Sequence, residues 1–149
     1  MKEKIMKKQT TPLLLIAAIF LAALGISGCA SMNKQNKALD ETLKQFEVVV
    51  RWSQWDGAAG FLSPEYLEAE PISNLDMDRL RLFQVTRYEV RSAVPFNEGM
   101  GFRQVVALRM FNKNRAVEKS LLYPQEWHYN EEHQRWYLHS GLPDVTSAR

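Results

Sequence analysis

The spacing of apolar residues divides the chain into a helical half and a strand half. Leu39, Leu43, Phe46 and Val50 recur at intervals of four, three and four, the stripe of an amphipathic helix. Lys44, Gln45, Glu47 and Arg51 fall off that stripe, so the pattern predicts a helix over about 36–53. Asp40 and Glu41 sit near its start, where acids suit the helix dipole. Trp52 to Leu62 reads as a second, shorter helix, although Gly57 and Gly60 are unfavourable in a helix interior. Ser63-Pro64 caps and opens a further turn, and 70–78 reads as an irregular loop. From Arg79 the period changes to two. Arg81, Arg87, Glu89 and Arg91 share one parity, and Leu82, Tyr88, Val90 and Val94 the other. After a turn at 95–99, a second strand is expected over Phe102–Asn112, then a tight hairpin at 112–115 whose asparagines tolerate positive φ. A third strand over Ala116–Tyr129 contains Pro124, which predicts a bulge or an edge. A polar turn at 130–134, a short strand over Arg135–Ser140 and a loose tail complete the chain.

Ahead of this pattern lies a segment of a different kind. Lys2, Lys4, Lys7 and Lys8 precede an uncharged run from Leu13 to Ile26, the layout of a secretory signal. The run is too short for the roughly 20 apolar residues of a spanning helix. It ends in Ile26-Ser27-Gly28-Cys29, which resembles the bacterial lipobox. The resemblance implies that Cys29 receives a diacylglycerol group through its thiol, that cleavage falls between Gly28 and Cys29, and that the new amine is acylated. Ile26, Ser27 and Gly28 would be the residues read by the signal peptidase. Two or more acyl chains hold a protein stably on a bilayer. Cys29 is also the one cysteine in the chain, so lipidation accounts for a thiol that has no disulfide partner. Ala30 and Ser31 follow where an inner-membrane lipoprotein would carry aspartate, which by the same resemblance points to the periplasmic face of the outer membrane.

Removal of 1–28 changes the charge balance. Those residues hold four of the 19 basic residues and one of the 17 acidic ones, leaving 15 and 16, a formal charge of about −1, on 121 mature residues. Nothing strongly basic remains to grip a phosphate backbone, so nucleic acid is not an expected partner. The organisation read from the sequence is a signal (1–28), a lipidated polar tether (29–37), one α+β domain (38–142) and a tail (143–149).

N-terminal helices followed by an antiparallel meander of about four strands predict an α+β layout with the helices on a curved sheet. The helix 39–50, the second helix 52–62 and the strands ending in Trp127-His128-Tyr129 and Trp136-Tyr137-Leu138 resemble the cone-shaped nuclear transport factor 2-like superfamily. A cystatin-like sheet wrapped on one helix is the nearest competitor. The first resemblance implies a pocket between helices and sheet, with Asp56, Tyr66, Tyr88, His128 and His139 as its available polar groups. Relatives of isomerase or cyclase type use a carboxylate base with tyrosine and acid donors, but no stretch here matches those positions. His128 alternates against Trp127 and Tyr129, which points it away from the aromatic face. Core packing is the simplest role for Trp52, Trp55, Trp127 and Trp136. His128, Glu131, Glu132 and His133 flank a turn without the paired spacing of a metal site. Nucleophile-elbow, phosphate-loop and dinucleotide motifs are missing, so neither metal nor cofactor is expected. The reading is a lipid-anchored envelope domain that binds a small apolar ligand or an envelope protein. The alternative is a small enzyme using pocket acid–base residues.

Overall fold

The computed structural model describes residues 27–147. Internal contacts divide the chain into Met1–Lys34 and Gln35–Arg149. Of the first unit, residues 27–34 are described and are helical. The element order is α1 (Ser27–Arg51), α2 (Trp55–Ala59), α3 (Pro64–Ala69), α4 (Asn74–Arg81), β1 (Phe83–Phe96), a single 3₁₀ turn (Asn97–Gly99), β2 (Gly101–Asn112), β3 (Val117–Asn130) and β4 (Arg135–Leu138). The four strands form one antiparallel sheet in chain order. The expected α+β class and four-stranded meander are therefore present.

Helix α1 starts well before the expected residue 36, so the polar stretch 30–37 is helical and Asp40 and Glu41 lie in the helix interior. Its stripe behaves as the spacing requires: Phe46 and Val50 are fully buried, with Ala38, Leu39 and Leu43 packed at the margin. Ser53 ends the helix with φ of 55°, donating to Val50 O while Gln54 donates to Val49 O. That pair of bonds is the Schellman arrangement, here with serine where glycine is usual. The second helix is shorter than expected, because the chain must turn at Ser53 and again at Gly60.

Helix α3 begins as anticipated, with Ser63 accepting the Tyr66 N–H. Helix α4 occupies part of the segment expected to be loop or strand. Ser73 caps it by accepting the Asp76 N–H at 3.1 Å and donating to the Asp76 carboxylate at 2.6 Å, a reciprocal N-terminal cap of the Ser-x-x-acid kind. Arg81 and Leu82 thus belong to a helix end and not to β1.

Directly opposed strand residues share a face, so the buried residues of β2 define the inward side of the sheet. They select Phe83 and Val85 of β1 through Asn112 and Met110, then Tyr88 and Val90 through Leu108 and Val106. The inward parity changes because the register shifts between Val85 and Arg87 and again between Val90 and Ser92, each an inserted residue that reverses the alternation. Val94 consequently faces outward and is 59% exposed, against the expectation from simple alternation.

The bulges lie in β1, whereas Pro124 pairs with Val105 without a break. Strand β4 pairs only with 127–130, so Pro124 lies beyond that paired stretch, on the edge predicted for it. Loops 113–116 and 131–134 are built alike. The preceding asparagine (Asn112 or Asn130) accepts a backbone N–H three residues on. The last loop residue takes the positive φ, 52° at Ala116 and 49° at Gln134. Asn112 and Asn130 therefore cap the turns, and Asn112 and Asn114 do not adopt the left-handed conformation expected of them.

The core joins α1 to the inward sheet face through Trp55, Trp127, Trp136, Phe46, Leu108 and Met110, all with less than 2% exposure. Phe46 meets Trp127 edge to face at 5.0 Å. Trp52 departs from the expected role and is 75% exposed. The segment Phe61–Ser63 pairs parallel to Leu138. The C-terminal segment is packed and not loose as far as it is described: Pro143 and Val145 are buried, Val145 within the core cluster.

Candidate functional site

The residues singled out by the sequence lie in different environments. Ile26 falls outside the described residues, while Ser27, Gly28 and Cys29 belong to the first turn of α1. Asp56 is largely exposed and paired with Arg81 at 2.7 Å. Tyr66 donates to Glu70 at 3.0 Å, and burial together with Glu70 raises its pKa. Tyr88 faces inward. His128 is on the outward face, as its alternation with Trp127 predicts.

Tyr88 belongs to a polar network inside the sheet–helix layer. Gln104 and Gln125 are directly paired across β2 and β3 and both are buried. Gln125 Oε1 accepts from the Gln104 amide at 2.7 Å and from the Trp127 indole at 3.1 Å. Gln125 Nε2 donates to the Tyr88 hydroxyl at 3.2 Å. Burial raises the Tyr88 pKa to about 12, with Glu47 adding to the rise and the two glutamine amides opposing it. The network is neutral and mutually satisfied, which rigidifies a core. It contains no carboxylate to take a proton from Tyr88.

His128 and His139 are brought together, with ring centroids 4.5 Å apart. Glu126 accepts from Arg103 at 2.8 Å and lies 2.8 Å from His128 Nε2. These two partners hold its carboxyl below the usual range. Ser63 Oγ lies 3.4 Å from His139 Nδ1. Burial first, then the neighbouring His128, pushes the His139 pKa down. A serine, two histidines and a carboxylate invite comparison with nucleophilic catalysis. Ser63, however, is fully buried and already serves as the α3 cap. A nucleophile needs its oxygen open to substrate, so the cluster reads as a structural joint between α3 and the sheet.

A concavity lies on the outward sheet face. It is an open trough of about 790 Å³ whose lining includes Arg87, Glu89, Arg91, Arg109, Val105 and Leu122. Arg87 stands directly opposite Arg109 across β1 and β2. Glu89 is shared by Arg87 at 3.7 Å and Arg91 at 3.1 Å. Arg109 has no acidic partner among the described residues. Beside these cations run Val105, Ala107 and Leu122, the last 67% exposed.

Neither Gln104 nor Gln125 nor Arg109 was visible as a site residue in the sequence. The glutamines had one signal, a polar amide on the inward parity of a strand that is otherwise apolar. Arg109 had none, because its opposition to Arg87 depends on the bulge between Val85 and Arg87. Among the described residues no group of three metal-ligating side chains occurs, and no helix is long and apolar enough to cross a membrane. Comparison with family models, curated proteins and solved structures finds no match to this chain.

Proposed function

We propose that this protein is a lipid-anchored binding domain of the bacterial cell envelope, held through Cys29 and working by recognition on its outward sheet face. Under this reading the anchor faces the periplasm from the outer membrane. The observation that carries the binding half is the filled layer between α1 and the sheet. Trp55, Trp127, Trp136, Phe46 and Leu108 are within 1% of complete burial, leaving the inward polar groups bonded to one another. The resemblance to nuclear transport factor 2-like proteins serves as an analogy for the helix-on-sheet layout, and Phe46, Phe61 and Trp127 pack ring against ring in the space between helix and sheet. A ligand or partner instead meets the outward trough, where charged and apolar side chains are open to solvent. The anchoring half rests on Ile26-Ser27-Gly28-Cys29 behind the charged and apolar leader.

Each half has its own experiment. Mass spectrometry of the wild-type protein from membranes should find an acylated N-terminal Cys29, and Cys29→Ser should accumulate at precursor size. A Cys29→Ser chain of mature size that still carries lipid would end the anchoring reading. For the binding face, the full chain in phosphatidylcholine nanodiscs is titrated with anilinonaphthalene sulfonate and followed by NMR. Resonances of Leu122 and Val105 should shift saturably while those of Tyr88 and Gln125 stay in place. Shifts confined to Tyr88 and Gln125, or no saturable shift, would remove the outward face as the working surface.

A further inference from the structure

Opposed like charges destabilise a sheet pair, yet the chain places Arg87 directly across from Arg109. Glu89 can offset only part of the charge of Arg87, Arg91 and Arg109, and its two contacts go to the first two. On its other flank Arg109 faces Ser120, a hydroxyl that adds a donor and no negative charge. The guanidinium fork suits a carboxylate or phosphate better than any other common group. Apolar residues continue from this cationic end: Ala107 opposes Leu122, and Val105 opposes Pro124. The four steps of strand from Arg109 to Val105 span roughly 14 Å. Cations therefore gather at one end of the trough, and along the rest an apolar strip of β2 and β3 runs beside Glu89, Arg91 and Ser92 of β1.

We propose that this trough holds a single-chain amphiphile with a compact oxyanion head, its head between Arg87 and Arg109 and its chain along Ala107, Leu122 and Val105. The inference rests on the outward face being the binding surface and adds the class of ligand. A head group at this position neutralises the Arg87–Arg109 repulsion. The chain covers Leu122, whose exposure in the unliganded protein is otherwise unfavourable. A flat bilayer fits less well, because the arginines and the apolar strip line a concavity.

The test uses the full chain in phosphatidylcholine nanodiscs, with octanoate as the probe, acetate as the head-only control and empty discs as the blank. Arginine Nε–H resonances are followed by NMR. The expected result is saturable binding of octanoate well above acetate, with shifts at Arg87 and Arg109. Arg109→Gln should weaken it about tenfold or more, Arg109→Lys by less, and Leu122→Asp should bring octanoate down to the acetate level. Both positions are exposed, so folding is not at stake, and a dispersed spectrum checks it. Equal affinity for acetate and octanoate, uptake no greater than that of empty discs, or indifference to Arg109→Gln would overturn the proposal. The same arginine shifts in phosphatidylglycerol discs without octanoate would make the bilayer the occupant and overturn it too. If octanoate fails while anilinonaphthalene sulfonate still shifts Leu122 and Val105, the ligand class falls and the binding face stands.

Discussion

The hydroxyl of Ser53 accepts the backbone N–H of Val85 at 2.8 Å, joining the end of α1 to the strand position where the first β1 bulge begins. Ser53 does this from φ of 55°, a conformation unfavourable for a residue with a Cβ. The bond therefore offsets a local strain. Ser53→Ala keeps the strain and leaves the Val85 N–H without this acceptor, at a cost of about 1–2 kcal/mol. Ser53→Gly loses the same bond but relieves the strain, and should be the milder change. Denaturant midpoints of the two variants give the order; an alanine variant as stable as wild type would show the bond to be unimportant.

Ala116 takes φ of 52° in the β2–β3 loop. Ala116→Gly should stabilise by about 0.5–1 kcal/mol, because the strain of the left-handed conformation exceeds the backbone entropy added to the unfolded chain. Asn112→Ala should do the opposite. Asn112 is 8% exposed, and its Oδ1 accepts from the N–H groups of Asn114 and Arg115. Thermal melts should separate the pair by several degrees in opposite directions.

Gly101 has no room for a side chain, since a Cβ there would lie 2.3 Å from the Phe96 ring. Gly101→Ala must displace that ring, which also stacks under Arg103 at 4.3 Å and against His128 at 5.3 Å. A loss of about 1–3 kcal/mol is expected from the overpacking. Adding Phe96→Leu should restore part of it, and a double-mutant cycle reads the coupling. Strict additivity would place the strain elsewhere.

His139 has a folded-state pKa below its unfolded value, caused by burial and then by His128. The unfolded chain then binds the proton more readily, so stability is complete above the unfolded value of 6.5 and is lost as pH falls from there towards the folded pKa. Glu126 works in the same direction at lower pH. Its lowered pKa contributes stability above 4.5 that is lost on further acidification. Unfolding free energies between pH 7 and 5 should decline in wild type and flatten in His139→Gln. An unchanged slope would mean that His139 titrates alike in both states.

Tyr88 is raised to about 12 mainly by its burial beside Gln104 and Gln125. Its phenol should remain neutral in an absorbance titration that ionises an exposed tyrosine near 10. Tyr88→Phe should reduce the late absorbance change to that of Tyr123, whose burial also pushes its phenol well above the usual value. Ionisation of all tyrosines together near 10 would contradict a closed network.

The residues themselves determined what depends on short range. The Leu39–Val50 stripe, the Ser63-Pro64 start of α3, the outward turn of His128 and the placing of four strands all follow from periods of 3.6 and 2 and from local caps. Even the reciprocal Ser73–Asp76 cap was present in the letters, although the neighbouring Glu70-Pro71 suggested a loop. Tertiary structure decided what depends on register. The two bulges exchange the faces of β1, put Val94 outside and oppose Arg87 to Arg109. Pairing of β2 with β3 sets Gln104 against Gln125, and the turn at Ser53 leaves Trp52 in solvent while Trp55 is buried. A single inserted residue reverses every side chain after it, and the strand carries no local mark of where that residue is. Its position appears only once β1 is paired with β2, beside the point where Ser53 accepts the Val85 N–H.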